Sequence, residues 1–275
     1  MSLLRVEGLG KKFGGLNAVE ELSFEIQPGA VYSIIGPNGA GKTTLLNLLS
    51  GVYQPSVGHI FLDEHELTGR APYEYAAHGI ARTFQNLQVF FNMSALENVM
   101  VGRYLHERCG LVSTLLHSRR LARAEHACRE DAAELMRCVG LHNYLSAAAD
   151  AMPYGALKRL EIARALATKP KLMLLDEPAA GLNPTEALEF DDLIGRLTER
   201  GVTVVLVEHN MRLVMGVSDH ILVLDYGRKL AEGPAMTIRN DPKVIEAYLG
   251  SAVANDGSFG NAVSGAVAVA VEMHR

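Results

Sequence analysis

Residues Gly36–Thr44, GPNGAGKTT, set glycines, a lysine and two hydroxyls in the order G-x-x-x-x-G-K-[ST]. The order suits a polyphosphate. Through Gly36, Pro37, Asn38, Gly39, Ala40 and Gly41 the backbone can turn N–H groups inward around phosphate oxygens, with little Cβ bulk in the way. Lys42 adds a cation able to reach β- and γ-phosphates, Thr43 a hydroxyl able to ligate Mg²⁺, and Thr44 a second hydroxyl beside it. A helix starting here would aim its positive end, about half an elementary charge, at the same anion. A chance glycine-rich turn is the competing reading, and it fits poorly because the match lies between a predicted strand and a predicted helix.

A second group follows in LMLLDEP, Leu172–Pro178. Asp176 ends an apolar run, where a carboxylate can hold Mg²⁺ through water, and Glu177 leaves the strand end able to act as general base on an attacking water. Alone, the two carboxylates would read equally well as a solvated strand terminus. Gln85 in ARTFQNLQVFF offers a carboxamide to Mg²⁺ and water, and His209, ending VTVVLVEH, can donate to a γ-phosphate. Singly, Gln85 reads as a surface residue and His209 as a structural one. Their order relative to Lys42 and Asp176 raises both.

The elements that must position these residues alternate between strand and helix. VYSII, Val31–Ile35, predicts a buried strand entering the glycine turn, with a helix from Lys42 to Ser50 ending at Gly51. His59–Leu67 predicts extended chain in a small antiparallel layer with the N-terminal strands. From about Ala71 to Gly155 the texture is helical; Leu121, Cys128, Ala132, Leu135 and Val139 recur at helical spacing. Strands return at Leu172–Glu177 and Val202–His209, and His220–Gly233 predicts a hairpin turning at Asp225-Tyr226-Gly227. Such alternation implies a parallel sheet covered on both faces.

Composition bounds the rest. At 275 residues, 48% hydrophobic and 21% charged, the chain suits one soluble globular unit, and its net charge of −5 implies no general pull towards nucleic acid or anionic lipid. Cys109, Cys128 and Cys138 show no C-x-x-C spacing and predict small core residues of a reducing compartment. The first residues lack a secretory apolar core, and no uncharged apolar run reaches the ~18 residues of a membrane span.

Taken in order, these motifs resemble the ATP-binding subunit of an ABC transporter over residues 3–250, and most closely the branched-chain amino-acid importer type. The resemblance implies a P-loop NTPase (RecA-like) α/β core from 1–84 and 156–250 with an antiparallel β layer, and an inserted α-helical subdomain, 85–155. Residues 251–275 would be a flexible tail. It gives Phe13 to adenine, Gly36–Thr44 to the phosphates, and Thr43, Gln85 and Asp176 to Mg²⁺. Lys42, Gln85, Glu177 and His209 become the catalytic set, and Ala180–Asn183 a loop at a subunit contact. Asn183, Pro184 and Glu186 also fit N-cap, N1 and N3 of a helix, a structural role sufficient by itself. Partners implied are integral membrane permeases, a second ATPase subunit (identical or sister) and a periplasmic solute-binding protein, with the chain at the cytoplasmic face of the membrane and no nucleic acid involved. Phe90 and Phe91 are the candidates to line a groove for a short permease helix.

MPYGA, Met152–Ala156, departs from the family signature LSGGQ, keeping Gly155 but placing Pro153 where a serine is usual and Ala156 where a glutamine is. Proline is tolerated at a helix start, so Tyr154, Gly155 and the amides after them can still face a partner's ATP. Erosion of the site is disfavoured, because Lys42, Thr43, Gln85, Asp176, Glu177 and His209 are all retained. Competing functions are a lipid or lipopolysaccharide extraction ATPase, a soluble ABC protein without transport, and a module that binds nucleotide without turnover.

Overall fold

The computed structural model describes residues 2–103 and 119–254. Two sheets organise it. The first is antiparallel, with β2 (Leu16–Ile26), β1 (Leu4–Phe13), β4 (Val57–Leu62) and β5 (His65–Glu66) in that spatial order. The second runs β10-β9-β3-β8-β7-β6, from β10 (Arg228–Gly233) and β9 (His220–Asp225) through β3 (Val31–Ile35), β8 (Thr203–Val207) and β7 (Leu172–Asp176) to β6 (Ile80–Arg82). Its pairings are parallel except for the β9–β10 hairpin.

Every residue of β3, β7 and β8 is buried, so these strands show no inside–outside alternation. Such runs are what a sheet covered on both faces requires. One face receives α1 (Lys42–Leu49), whose Leu45, Leu46, Leu48 and Leu49 join a core shared with the antiparallel sheet. Another core gathers α3 (Ala95–Gly102), α4 (Arg119–Cys138), α5 (Tyr154–Ala167) and α6 (Pro184–Glu199) with β7 and β8. The short helices α2 (Pro72–His78), α7 (Met211–Val217) and α8 (Ala235–Arg239) cover remaining edges, and α9 (Pro242–Ala254) closes the described chain.

Two expectations change. The helical texture read from Ala71 onwards contains β6, which pairs Ile80–Arg82 with Leu172–Leu174 of β7 and forms the sheet edge. A parallel edge strand of three residues is too short to declare a period. At the other end α9 continues to Ala254, past the point where a tail was expected; residues 255–275, with the apolar Ala266–Val271, lie outside the described residues, as does Cys109. Cys128 is buried and Cys138 half-buried, and neither forms a disulfide. Leu121 lies in α4 with its side chain undescribed, whereas Cys128, Ala132 and Val139 are buried as the spacing required. Among the described residues no helix is long and apolar enough to cross a membrane.

Candidate nucleotide site

β3 delivers the chain directly into the glycine loop and α1 takes it away. Gly41 is the N-cap of α1 at φ 99°, a left-handed conformation, and a Cβ there would stand 2.5 Å from the Ala18 carbonyl oxygen. Only glycine meets both constraints. No side chain caps α1 and no acidic residue lies in its first turn, so its leading N–H groups and dipole face the loop uncompensated by protein side chains. Lys42 is buried, and its Nζ donates to the Gly36 and Pro37 carbonyls at 2.7 and 2.9 Å, folded across the loop from within. Burial lowers its pKa, against the raising pull of the Glu177 and Asp176 carboxylates. The loop is braced from outside by the β9–β10 turn, where the Gly227 N–H donates to the Ala40 carbonyl at 3.0 Å. A backbone hydrogen bond also joins Gly36 to the Tyr248 phenol on α9.

Glu177 is the hub of the opposite wall. Its backbone has φ 48°, a strained turn immediately after β7, and its N–H donates to Val207 at 2.9 Å. The turn carries the carboxylate out of the sheet to meet Gln85 and His209. Gln85 Nε2 donates to Oε2 at 3.0 Å, and His209 Nε2 lies 2.9 Å from Oε1. The four residues read as catalytic therefore share one neighbourhood: Lys42 feels the Glu177 charge, and Glu177 touches the other two.

Asp176 behaves differently from a free metal ligand. Its Oδ2 accepts from Arg82 at 2.9 Å, both side chains being about 6% exposed, and the same guanidinium reaches Asn47 Oδ1 at 2.6 Å and Ser50 Oγ at 3.0 Å. Thr43, Gln85 and Asp176 offer hard oxygen donors, which fit Mg²⁺, and among the described residues no group of three His, Cys, Asp or Glu forms an all-protein metal cage.

Two contributors went unread in the sequence. Arg82 lies on the missed strand β6. Glu208, buried beside His209, accepts backbone N–H groups from Ala179 (2.8 Å), His209 (3.0 Å) and Asn210 (3.4 Å), tying the turn after Glu177 to the turn after β8. Its signal was a carboxylate directly following the four apolar strand residues Val204–Val207.

The remaining candidates stand apart from this centre. Phe13, 43% exposed, meets Tyr53 edge-on at 5.3 Å, with Lys11 Nζ 5.1 Å above its ring. Tyr154 and Gly155 open α5, with Pro153 as N-cap. Their nearest neighbours are Gly181 and Glu186 rather than the phosphate loop. Gly155 is buried, not open: a Cβ on it would meet Glu186 Oε1 at 2.6 Å. Asn183 and Glu186 make the reciprocal capping box of α6 that their spacing implied, at 2.9 Å in each direction.

The chain has known relatives in both sequence and fold. The ABC transporter family profile matches residues 19–180, and a second, described as branched-chain amino acid ATP-binding cassette transporter, matches 228–254. The chain belongs to the ABC transporter family. This cassette is 44% identical over 251 residues to the high-affinity branched-chain amino acid transport ATP-binding protein BraF of Pseudomonas aeruginosa, covering 91% of this chain and 98% of that protein. Against LivG of Escherichia coli K12 the figures are the same. A nucleotide-free cassette from an ABC transporter superposes with a TM-score of 0.78 at 32% identity, over 90% of this chain and 99% of the other. A cassette in its ADP conformation gives 0.78 at 31%, over 91% and 99%. A dimeric cassette in a post-hydrolysis state with ADP and phosphate gives 0.71 at 25%, over 84% and 98%. The cassette is an ATPase of the branched-chain amino-acid type.

Proposed function

We propose that this ATPase powers the import of amino acids, branched-chain ones foremost, by closing head to tail with a second ATPase subunit over two ATP molecules beneath a pair of membrane permeases. The carrying observation is the Glu177 carboxylate held between Gln85 and His209, on the wall opposite Lys42, which feels its charge. The dimeric relative and the branched-chain match at residues 228–254 support the assembly and the solute class.

In this reading the loop amides and Lys42 bind the phosphates, Lys42 exchanging its Gly36 and Pro37 carbonyls for phosphate oxygens. Phe13 stacks on adenine, with Thr44 beside the phosphates. Thr43, Asp176 and Gln85 would hold Mg²⁺, which would supply charge to neutralise the phosphates. Glu177 accepts the proton of the attacking water, while Gln85 and His209 fix its two oxygens, leaving it one orientation. Gly155 and Tyr154 serve the ATP of the opposite subunit, so Glu186 must withdraw from Gly155 as the subunits close.

The permease surface is the groove of about 630 Å³ lined by Tyr75 of α2 and Arg82 of β6, by Leu87, Val89 and Phe90 of the Gln85 segment, and by Arg164 of α5. Phe90 and Phe91 are 44% and 50% exposed, but only Phe90 lines this groove, which makes it the stronger contact of the two. Periplasmic solute-binding protein supplies the solute from the other side. Reconstituting the chain with its own permeases and measuring leucine uptake tests the proposal: uptake requiring ATP and lost in Glu177→Gln is expected, and ATP turnover indifferent to every permease and solute would refute it.

A further inference from the structure

Helix α5 begins with the two signature residues, and the face that follows them is charged but buried. Lys158 is 4% exposed and Glu161 is 3% exposed, an expensive placement unless each charge has work to do. Their partners lie on one strip of chain. Lys158 Nζ donates to the Gln85 carbonyl at 3.2 Å, and the Gln88 N–H donates to Glu161 Oε1 at 2.9 Å. One turn on, the Arg164 guanidinium sits 5.3 Å from the Phe90 ring centre. At its start, Lys158 also lies 5.7 Å from the ring centre of Tyr154, one turn back.

Residues 158, 161 and 164 are spaced three apart and so share a helix face. They meet residues 85, 88 and 90 in the same order: cation on carbonyl, anion on amide, cation on ring. The strip so held carries Gln85, whose carboxamide touches Glu177, at one end and the groove residues Leu87 to Phe90 at the other. Phe90 is gripped from its far side by Asn98 of α3, which exchanges hydrogen bonds with its backbone N–H and C=O at 2.9 Å each.

We propose that Lys158, Glu161 and Arg164 form a rail that fastens the Gln85–Phe90 segment to the signature helix, so that the signature and the permease groove move as one body. The inference rests on the transport reading for its purpose, though not for its geometry. Lys158, Glu161 and Arg164 are positioning residues. Engagement of Tyr154 and Gly155 by the neighbouring subunit's ATP shifts α5, and the rail carries that shift to Leu87–Phe90. Signature contact thereby moves the groove lining of α5 and the Gln85 segment relative to the lining supplied by α2 and β6.

The test has two arms. In the nucleotide-free chain, Glu161→Leu removes the acceptor of the Gln88 amide, and hydrogen exchange across residues 85–90 is expected to rise about tenfold while exchange in β7 and β8 is unchanged. In the assembled transporter with leucine as the solute, Glu161→Leu and Lys158→Met are expected to keep basal ATP turnover within about twofold, to lose most of its stimulation by solute, and to regain it with Lys158→Arg. If Glu161→Leu does not fold, Lys158→Met is read alone in both arms against Lys158→Arg. Unchanged exchange, or full stimulation in these variants, overturns the rail. A wild-type chain whose turnover ignores permease and leucine defeats the transport reading instead, and the exchange arm still decides the rail.

Discussion

Arg82 and Asp176 form a buried ion pair at 2.9 Å that links the edge strand β6 to the end of β7, and Asn47 and Ser50 of the α1 end accept from the same guanidinium. Three elements thus meet on one side chain directly beneath the glutamate hub. Replacing Arg82 by Met leaves a carboxylate without its partner in a region closed to water. The expected cost is about 3–5 kcal/mol of folding stability, read by urea unfolding. Adding Asp176→Asn to that variant should recover part of the loss, since it removes the stranded charge. Additive losses would mean that the pair is not coupled.

Gly41→Ala is expected to abolish nucleotide binding. The added methyl would stand 2.5 Å from the Ala18 carbonyl, at a φ of 99° that alanine rarely adopts. The glycine loop and the start of α1 would have to shift together. Equilibrium binding of a fluorescent ATP analogue, with circular dichroism to establish that the fold survives, checks this.

Glu177→Gln keeps the shape of the hub and removes its charge. Its oxygen can still accept from one neighbour, but a carboxamide is no base for water. ATP binding should stay near wild type while hydrolysis falls about 10²–10⁴-fold, measured as phosphate release against bound nucleotide. Loss of binding with hydrolysis would place Glu177 in the architecture of the site rather than in its chemistry.

Phe90→Ala should uncouple leucine uptake from ATP turnover, because the ring lines the groove and rests under Arg164. Phe91→Ala should have the smaller effect. Uptake and hydrolysis measured on the same proteoliposomes give the ratio that decides.

Much of this centre was legible in the sequence because short local rules govern it. The glycine loop needs its residue types at fixed spacing, the buried strands are largely apolar runs, and the Asn183-Pro184-x-Glu186 cap is set by one turn of helix. What escaped depends on contacts distant in sequence. β6 is three residues long and becomes a strand only by pairing with β7, more than ninety residues away. Arg82 gains its partner through that same pairing, and Lys158 and Glu161 look like ordinary polar positions of a basic helix until the Gln85 segment is laid along them. The burial of Gly155 beneath Glu186 was likewise invisible, since the capping box explains Glu186 completely within its own helix.

That contact yields a prediction of its own. The Glu186 carboxylate occupies the space before the signature glycine that the neighbouring subunit's ATP is proposed to enter. Glu186→Gln retains an acceptor for the Asn183 N–H but drops the negative charge, so ATP-driven association of the ATPase subunits should tighten, as followed by sedimentation of the Glu177→Gln background. Unchanged or weaker association would remove Glu186 from the closing step.

The account turns on Gly155 serving a nucleotide other than the one held by its own chain, and Gly155→Asp measures that directly. The added Cβ meets Glu186 and no residue of the phosphate loop, so the isolated chain should bind ATP with unaltered affinity through its own phosphate loop, while turnover of the assembled transporter falls at least tenfold. Full turnover in the assembled Gly155→Asp complex, or loss of ATP binding by the isolated variant, would contradict it.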